Sequence, residues 1–193
     1  MRYSKVGKYI LFFLISIFFW CGCRNSPEKV ESDIVTKPEK MPERIRNDLE
    51  ITLDDILKSG GKLNDSVTVG YSKLEDSLYS SRNYSSIWNE HERWLPLADS
   101  LYKFIQNAKE FGLFPEDYHY NMLSFIRRVL VEDSVAKKNA VMWARADVLF
   151  TDAFFKLIKD LKQGRLPVDS VTLRNDGKIK DSVFTTTLDE AFR

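Results

Sequence analysis

Side chains able to act as nucleophiles, soft metal ligands or proton carriers near neutral pH are few in this chain. It has two cysteines, Cys21 and Cys23, and two histidines, His91 and His119. Beyond residue 23 there is no thiol, so the body forms no disulfide and offers no thiolate to zinc, an iron–sulfur cluster or an acyl group. His91-Glu92 begins like the zinc-protease pattern His-Glu-x-x-His, but Leu95 stands where the second histidine belongs. Glu116, Asp117 and His119 are close enough in sequence to ligate a metal. The simpler reading is the first turn of a helix, where acids complement the dipole. A Gly-rich phosphate loop, a G-x-S-x-G elbow and a Cys–His pair are all missing. Carboxylates are plentiful, yet none stands in an apolar setting that marks a raised pKa. The residues by themselves therefore predict no catalytic, metal or cofactor site. Tyr79, Tyr84, Trp88, Trp94, Tyr102, Tyr118 and Tyr120 have faces that can stack on sugar rings, but their helical spacing favours core packing.

Charge excludes one class of partner. The 193 residues carry 29 Lys+Arg and 28 Asp+Glu, with 44% hydrophobic residues, an ordinary globular composition. Arg2, Lys5 and Lys8 lie in a leader without acids, which leaves the body from residue 24 onward at net −2. A body of that charge has no basic face for phosphate neutralisation, so nucleic acid is excluded.

The leader, residues 1–23, has a basic start, an apolar run from Tyr9 to Trp20 broken only by Ser16, and then Cys21-Gly22-Cys23. These are the parts of a secretory signal. The apolar run is short of the ~20 residues that span a bilayer as a helix. Gly22-Cys23 resembles the lipobox of bacterial lipoproteins, in which the Cys is acylated, although Trp20 stands where that motif prefers Leu. The expected modification is lipidation of Cys23, with an uncleaved anchor or plain secretion as alternatives. Each outcome puts the body outside the cytoplasm, and the first two attach it to a membrane of the cell envelope, facing the periplasm. Residues 24–46 are rich in Lys, Glu and Pro and read as a flexible tether. Asn64-Asp65-Ser66 and Asn83-Tyr84-Ser85 match the glycosylation sequon but read as turn chemistry.

The body then reads as mainly α, an irregular helical bundle around one long central helix. Residues 47–69 hold a short helix with Leu49, Leu53, Ile56 and Leu57, closed by Gly60-Gly61. Leu74, Leu78 and Tyr79 share a second helix face, with a break over 83–86. Leu97, Leu101, Phe104, Ile105, Ala108 and Phe111 form a third, opened by Pro96 and stopped at Gly112, with Leu113 folding back. Met122, Leu123, Phe125, Ile126, Val129 and Leu130 give a fourth. From Val135 to Gln163 there is no Gly or Pro; with Asp133-Ser134 as cap, this run predicts the central helix, with Phe155 and Ile158 on its buried side. Residues 168–184 read as weak strands or an irregular loop. Thr187 to Glu190 matches a capping box, so a last helix is expected to begin there, in a domain over 70–193 expected to be truncated at its C-terminal end.

Three stretches have a family's cadence: Leu78-Tyr79-Ser80-Ser81-Arg82-Asn83-Tyr84-Ser85-Ser86-Ile87-Trp88, then Gly112-Leu113-Phe114-Pro115-Glu116-Asp117-Tyr118, then Ala146-Asp147-Val148-Leu149-Phe150-Thr151, a helix that runs on to Gly164-Arg165. Together they resemble the scaffold domain of bacterial L,D-transpeptidases, over about residues 70–193. Tyr79, Arg82, Tyr84, Trp88, Gly112, Leu113, Pro115, Asp117, Tyr118, Asp147, Thr151 and Gly164 carry the likeness. The resemblance implies a helical extracytoplasmic module of an enzyme that cross-links peptidoglycan stem peptides. The family's catalytic domain uses a Cys nucleophile with a nearby His, and no residue of this chain matches either. The expectation is a non-catalytic scaffold without cofactor or metal, partnered by peptidoglycan or by a catalytic domain in cis. The alternative is a stand-alone lipoprotein that binds a cell-wall or protein partner.

Overall fold

A computed structural model describes residues 33–165 and 177–193. The expected leader, its Cys23, the tether as far as residue 32 and the stretch 166–176 lie outside the described residues. Six helices, α1 Met41–Lys58, α2 Ser72–Ser81, α3 Pro96–Gln106, α4 Tyr120–Glu132, α5 Ala140–Gln163 and α6 Asp181–Ala191, dominate, and a two-residue hairpin is the one sheet named among the described residues. The mainly α expectation holds. No helix among the described residues is long and apolar enough to cross a membrane.

The helix α5 is the axis. Seventeen of its 24 residues are buried, on every side of the cylinder, which only a helix surrounded by others can sustain. It starts five residues later than its Gly- and Pro-free run suggests. Asp133 caps a separate turn through Val135 N–H and Ala136 N–H, and Asn139 caps α5 itself by accepting from Met142 N–H. Phe155 and Ile158 are buried as expected, and Phe155 meets the rings of Tyr71 and Phe184 at 5.9 and 5.5 Å.

Other boundaries also differ from the sequence expectation. The tether reading fails over residues 33–46. Met41 and Ile45 extend the stripe of Leu49, Leu53 and Ile56 upstream, and Pro42 lies in the first turn, where a missing N–H costs nothing. Upstream of α1, Val35 N–H donates to Lys138 O and Ala140 N–H to Asp33 O, which fastens this segment beside the start of α5. Secondly, residues 168–184 read as weak strands or an irregular loop, and no strand is found in the part that is described, from residue 177 onward. Val183 and Phe184 belong to α6, and Thr187 is inside that helix rather than its cap. Phe184 and Leu188 turn inward from α6, and that burial favours helix over strand. The strands occur instead at β1 Asn89–Glu90 and β2 Arg93–Trp94. His91 and Glu92 both take positive φ (48° and 56°) between them, as a two-residue hairpin with the right-handed strand twist demands.

The Gly112 turn is as expected. Its φ of 71° ends the turn Ala108–Phe111, and Leu113 N–H returns to Ala108 O. Asn64 also acts as turn chemistry, its Oδ1 accepting from Ser66 and Val67 N–H.

Candidate functional site

The family-like residues converge first on Asp147, in the middle of α5 and without solvent exposure. After α2 the chain passes through Asn83 and Tyr84, both at positive φ (53° and 52°), which swings the next amides toward α5. Ile87 N–H and the Tyr79 hydroxyl donate to Asp147 Oδ1 at 2.8 and 2.7 Å. Ser86 Oγ, Trp88 N–H and Asn89 Nδ2 donate to Oδ2 at 2.5, 3.0 and 2.7 Å. One turn along, Thr151 Oγ1 accepts from Trp88 Nε1 at 2.8 Å and meets the Tyr79 hydroxyl at 2.7 Å. Burial pushes the Asp147 carboxyl up, and the bonds from Ser86, Ile87, Tyr79 and Trp88 pull it back down. All five donate to it, and three of them, Ile87 N–H, Trp88 N–H and Asn89 Nδ2, cannot accept, which is the environment of an ionised carboxylate. Burial, then the Asp147 charge, raises the Tyr79 hydroxyl well above its usual value. The knot holds α2, the following loop and α5 together, and both oxygens of its carboxylate are engaged by these donors.

The second convergence lies on another side of α5. Asp152, almost fully buried, accepts Tyr71 N–H at 2.8 Å, and its other oxygen lies 2.7 Å from His119 Nε2. His119 adopts φ 59° as the residue before α4. Beside Asp152 is Glu75 of α2, fully buried, with no donor to either carboxyl oxygen. Burial first, then the charge of Asp152, pushes the Glu75 carboxyl well above the carboxylate range. His119 and Asp152 line a cleft of about 670 Å³ together with Tyr71, Lys156, Asp160 and Arg165. The Tyr71 hydroxyl is pushed up to about 12 by burial, then by Asp152 and Asp160.

The remaining family-like residues shape the edges. Arg82 pairs with Asp189 of α6, and the Tyr84 hydroxyl reaches toward Asp76 at 3.5 Å. Pro115 is buried; Asp117 pairs with Arg165 at 2.6 Å, and the buried Tyr118 hydroxyl donates to Asp160 at 2.9 Å. Gly164, φ 74°, ends α5. Glu116, Asp117 and His119 do not form one cluster, and no group of three or more His, Asp or Glu fit for a metal occurs among the described residues.

Glu75, Asp152, Ser86 and Asn89 were not singled out by the sequence. The reading that no carboxylate sits in an apolar setting is corrected by Glu75, which stands three residues before Leu78 and four before Tyr79 on the buried stripe. That spacing was the available signal.

This is a helical module whose signature side chains hold its architecture. A family model described as Scaffold domain matches residues 74–193, well over half of the chain, and the chain belongs to that family. No curated protein and no solved structure matches it.

Proposed function

We propose that this chain is the non-catalytic scaffold module of an envelope-anchored L,D-transpeptidase that cross-links peptidoglycan, attached to the membrane through acylated Cys23. The observation that carries the reading is the Asp147 knot. Tyr79, Trp88, Asp147 and Thr151 come from separate segments that resemble that family, and all four act on one buried hydrogen-bond network. Membership of the Scaffold domain family supports the same reading. Acyl transfer of this kind needs a thiolate beside a base, and the body has no cysteine after Cys23.

The test compares residues 24–193 with the product of the coding sequence read on past the Arg193 codon. A carbapenem should leave the 24–193 protein at its own intact mass, and stem-peptide dimers should not form. A read-through product carrying a Cys/His motif should gain the adduct mass at that cysteine. An adduct or new cross-links on the 24–193 protein would defeat the reading.

A second reading, a stand-alone lipoprotein that binds a cell-wall or protein partner, is favoured by Phe111 and Phe114, which stand 57% and 47% exposed around the Gly112 turn. An authentic stop codon directly after Arg193 would support it.

A further inference from the structure

Glu75 is a feature that neither the knot nor the scaffold role explains. Its carboxyl is fully buried, no hydrogen-bond donor reaches either oxygen, and the group it faces is a second buried carboxyl, Asp152. Two carboxylates cannot face each other in a buried site without large repulsion, whereas a carboxylic acid facing a carboxylate makes a strong O–H···O bond. Asp152 in turn holds Tyr71 N–H and His119. We infer that Glu75, Asp152 and His119 form a proton-linked clamp, in which one proton shared between the two carboxyls fastens α2 and the Pro115–His119 turn to α5.

The surroundings decide how the clamp responds to pH. From α2 and its approach, Tyr79 and Tyr71 face it; from α5, Asp147, Lys156 and Asp160; from the turn, His119 and Asp117. Lys156 and Arg165 line the cleft outside Asp152, and Arg165 is already paired with Asp117. None of the cations among these donates to Glu75, so loss of its proton leaves an uncompensated charge. The proton leaves to solvent, the two carboxylates repel, and the contacts of Asp152 with Tyr71 and His119 loosen together. The floor of the cleft is thereby opened by base.

The sign follows from linkage. Glu75 binds its proton more tightly in the folded chain than the ordinary value near 4.3 in the unfolded chain. Its stabilising effect is complete below that value and is lost as pH rises toward the folded value.

The experiment measures the unfolding equilibrium of wild type and Glu75→Gln from acid to alkaline pH, with amide exchange at Tyr71 as a local probe. Gln keeps the shape and offers an N–H to Asp152 without a titrating proton. The unfolding constant of wild type, relative to E75Q, should rise by about tenfold per pH unit from about pH 5, the slope of one proton, and level off once the folded chain loses the proton too. Tyr71 protection should fall with it in wild type only. Parallel pH profiles in the two proteins would overturn the clamp. Infrared spectroscopy of the wild type alone covers the case in which E75Q does not fold. A protonated-carboxyl C=O stretch that persists at neutral pH supports the clamp, and its absence overturns it.

Discussion

Asp147 and Asp152 lie on the same helix, both buried, and they solve the same problem in opposite ways. Asp147 is met by five donors drawn from Tyr79 and from the loop that follows α2. Asp152 is met by one backbone N–H, one imidazole and another acid. At about 100° per residue the two point to different faces of α5, so beyond α2, which touches both, Asp147 fastens the loop after α2 and Asp152 the Pro115–His119 turn. A burial that donors saturate fixes one geometry. A burial completed by a shared proton keeps its geometry only while the proton stays. The difference separates a structural anchor from a responsive contact within about two turns of one helix.

The largest effect should come from Asp147→Asn. The amide group would place N–H against either the Ser86, Trp88 and Asn89 donors or the Tyr79 and Ile87 donors, and the charge that all five share would be gone. A buried polar group left unsatisfied costs about 1–3 kcal/mol. Losing two or three such bonds at once should lower stability by about 4 kcal/mol or more, measured by chemical denaturation. A loss below about 1 kcal/mol would mean that the knot is not what holds the loop to α5.

Much of the Asp147 side of this comparison was legible in the sequence, and almost none of the Asp152 side was. Asp147 and Thr151 are one turn apart, and Tyr79 and Trp88 stand in a recognisable run. What the run could not give was the pair of positive-φ residues, Asn83 and Tyr84, that aims the amides. Glu75 was hidden for a different reason. Its spacing to Leu78 and Tyr79 hints at the buried stripe, but only packing against α5 turns a surface-type residue into a buried acid. The helix boundaries divide in the same way. Gly112 and Gly164 act through local backbone geometry and were readable. The start of α1 and the first half of α6 depend on what they pack against, Val35 and Met41 at one end, Phe184 and Leu188 at the other. Local composition carries no record of that.

Asp152→Asn sharpens the contrast at intermediate size. Asn retains an acceptor for Tyr71 N–H and supplies an N–H that can face Glu75. It therefore removes a conflict as well as a contact. At neutral pH the loss should stay below about 2 kcal/mol, within the range for one or two altered hydrogen bonds, and clearly smaller than that of Asp147→Asn. Denaturation of the two variants side by side checks the order. If Asp152→Asn were the more damaging, the two acids would have the same structural role and the comparison would collapse.

Arg82 should give the smallest effect, although it belongs to the same family-like run as Tyr79 and Trp88. Its guanidinium pairs with Asp189 of α6, with side-chain exposures of 36% and 52%. Such a pair gains little in high dielectric and holds two long side chains in one geometry, so Arg82→Ala should cost no more than about 1 kcal/mol. What remains should shrink further in added salt, because exposed charges are screened over about 8–10 Å at moderate ionic strength. The aromatic contacts of Phe184 with Tyr71 and Phe155 are untouched by the substitution and should keep α6 docked. Hydrogen exchange across Asp181–Ala191 reads that docking directly. Unchanged protection with a small, salt-sensitive loss of stability would mark Arg82 as a surface contact added to a fold that Asp147 already holds. Loss of protection throughout α6 would show instead that the motif arginine, and not the buried ring cluster, ties the last helix to the body.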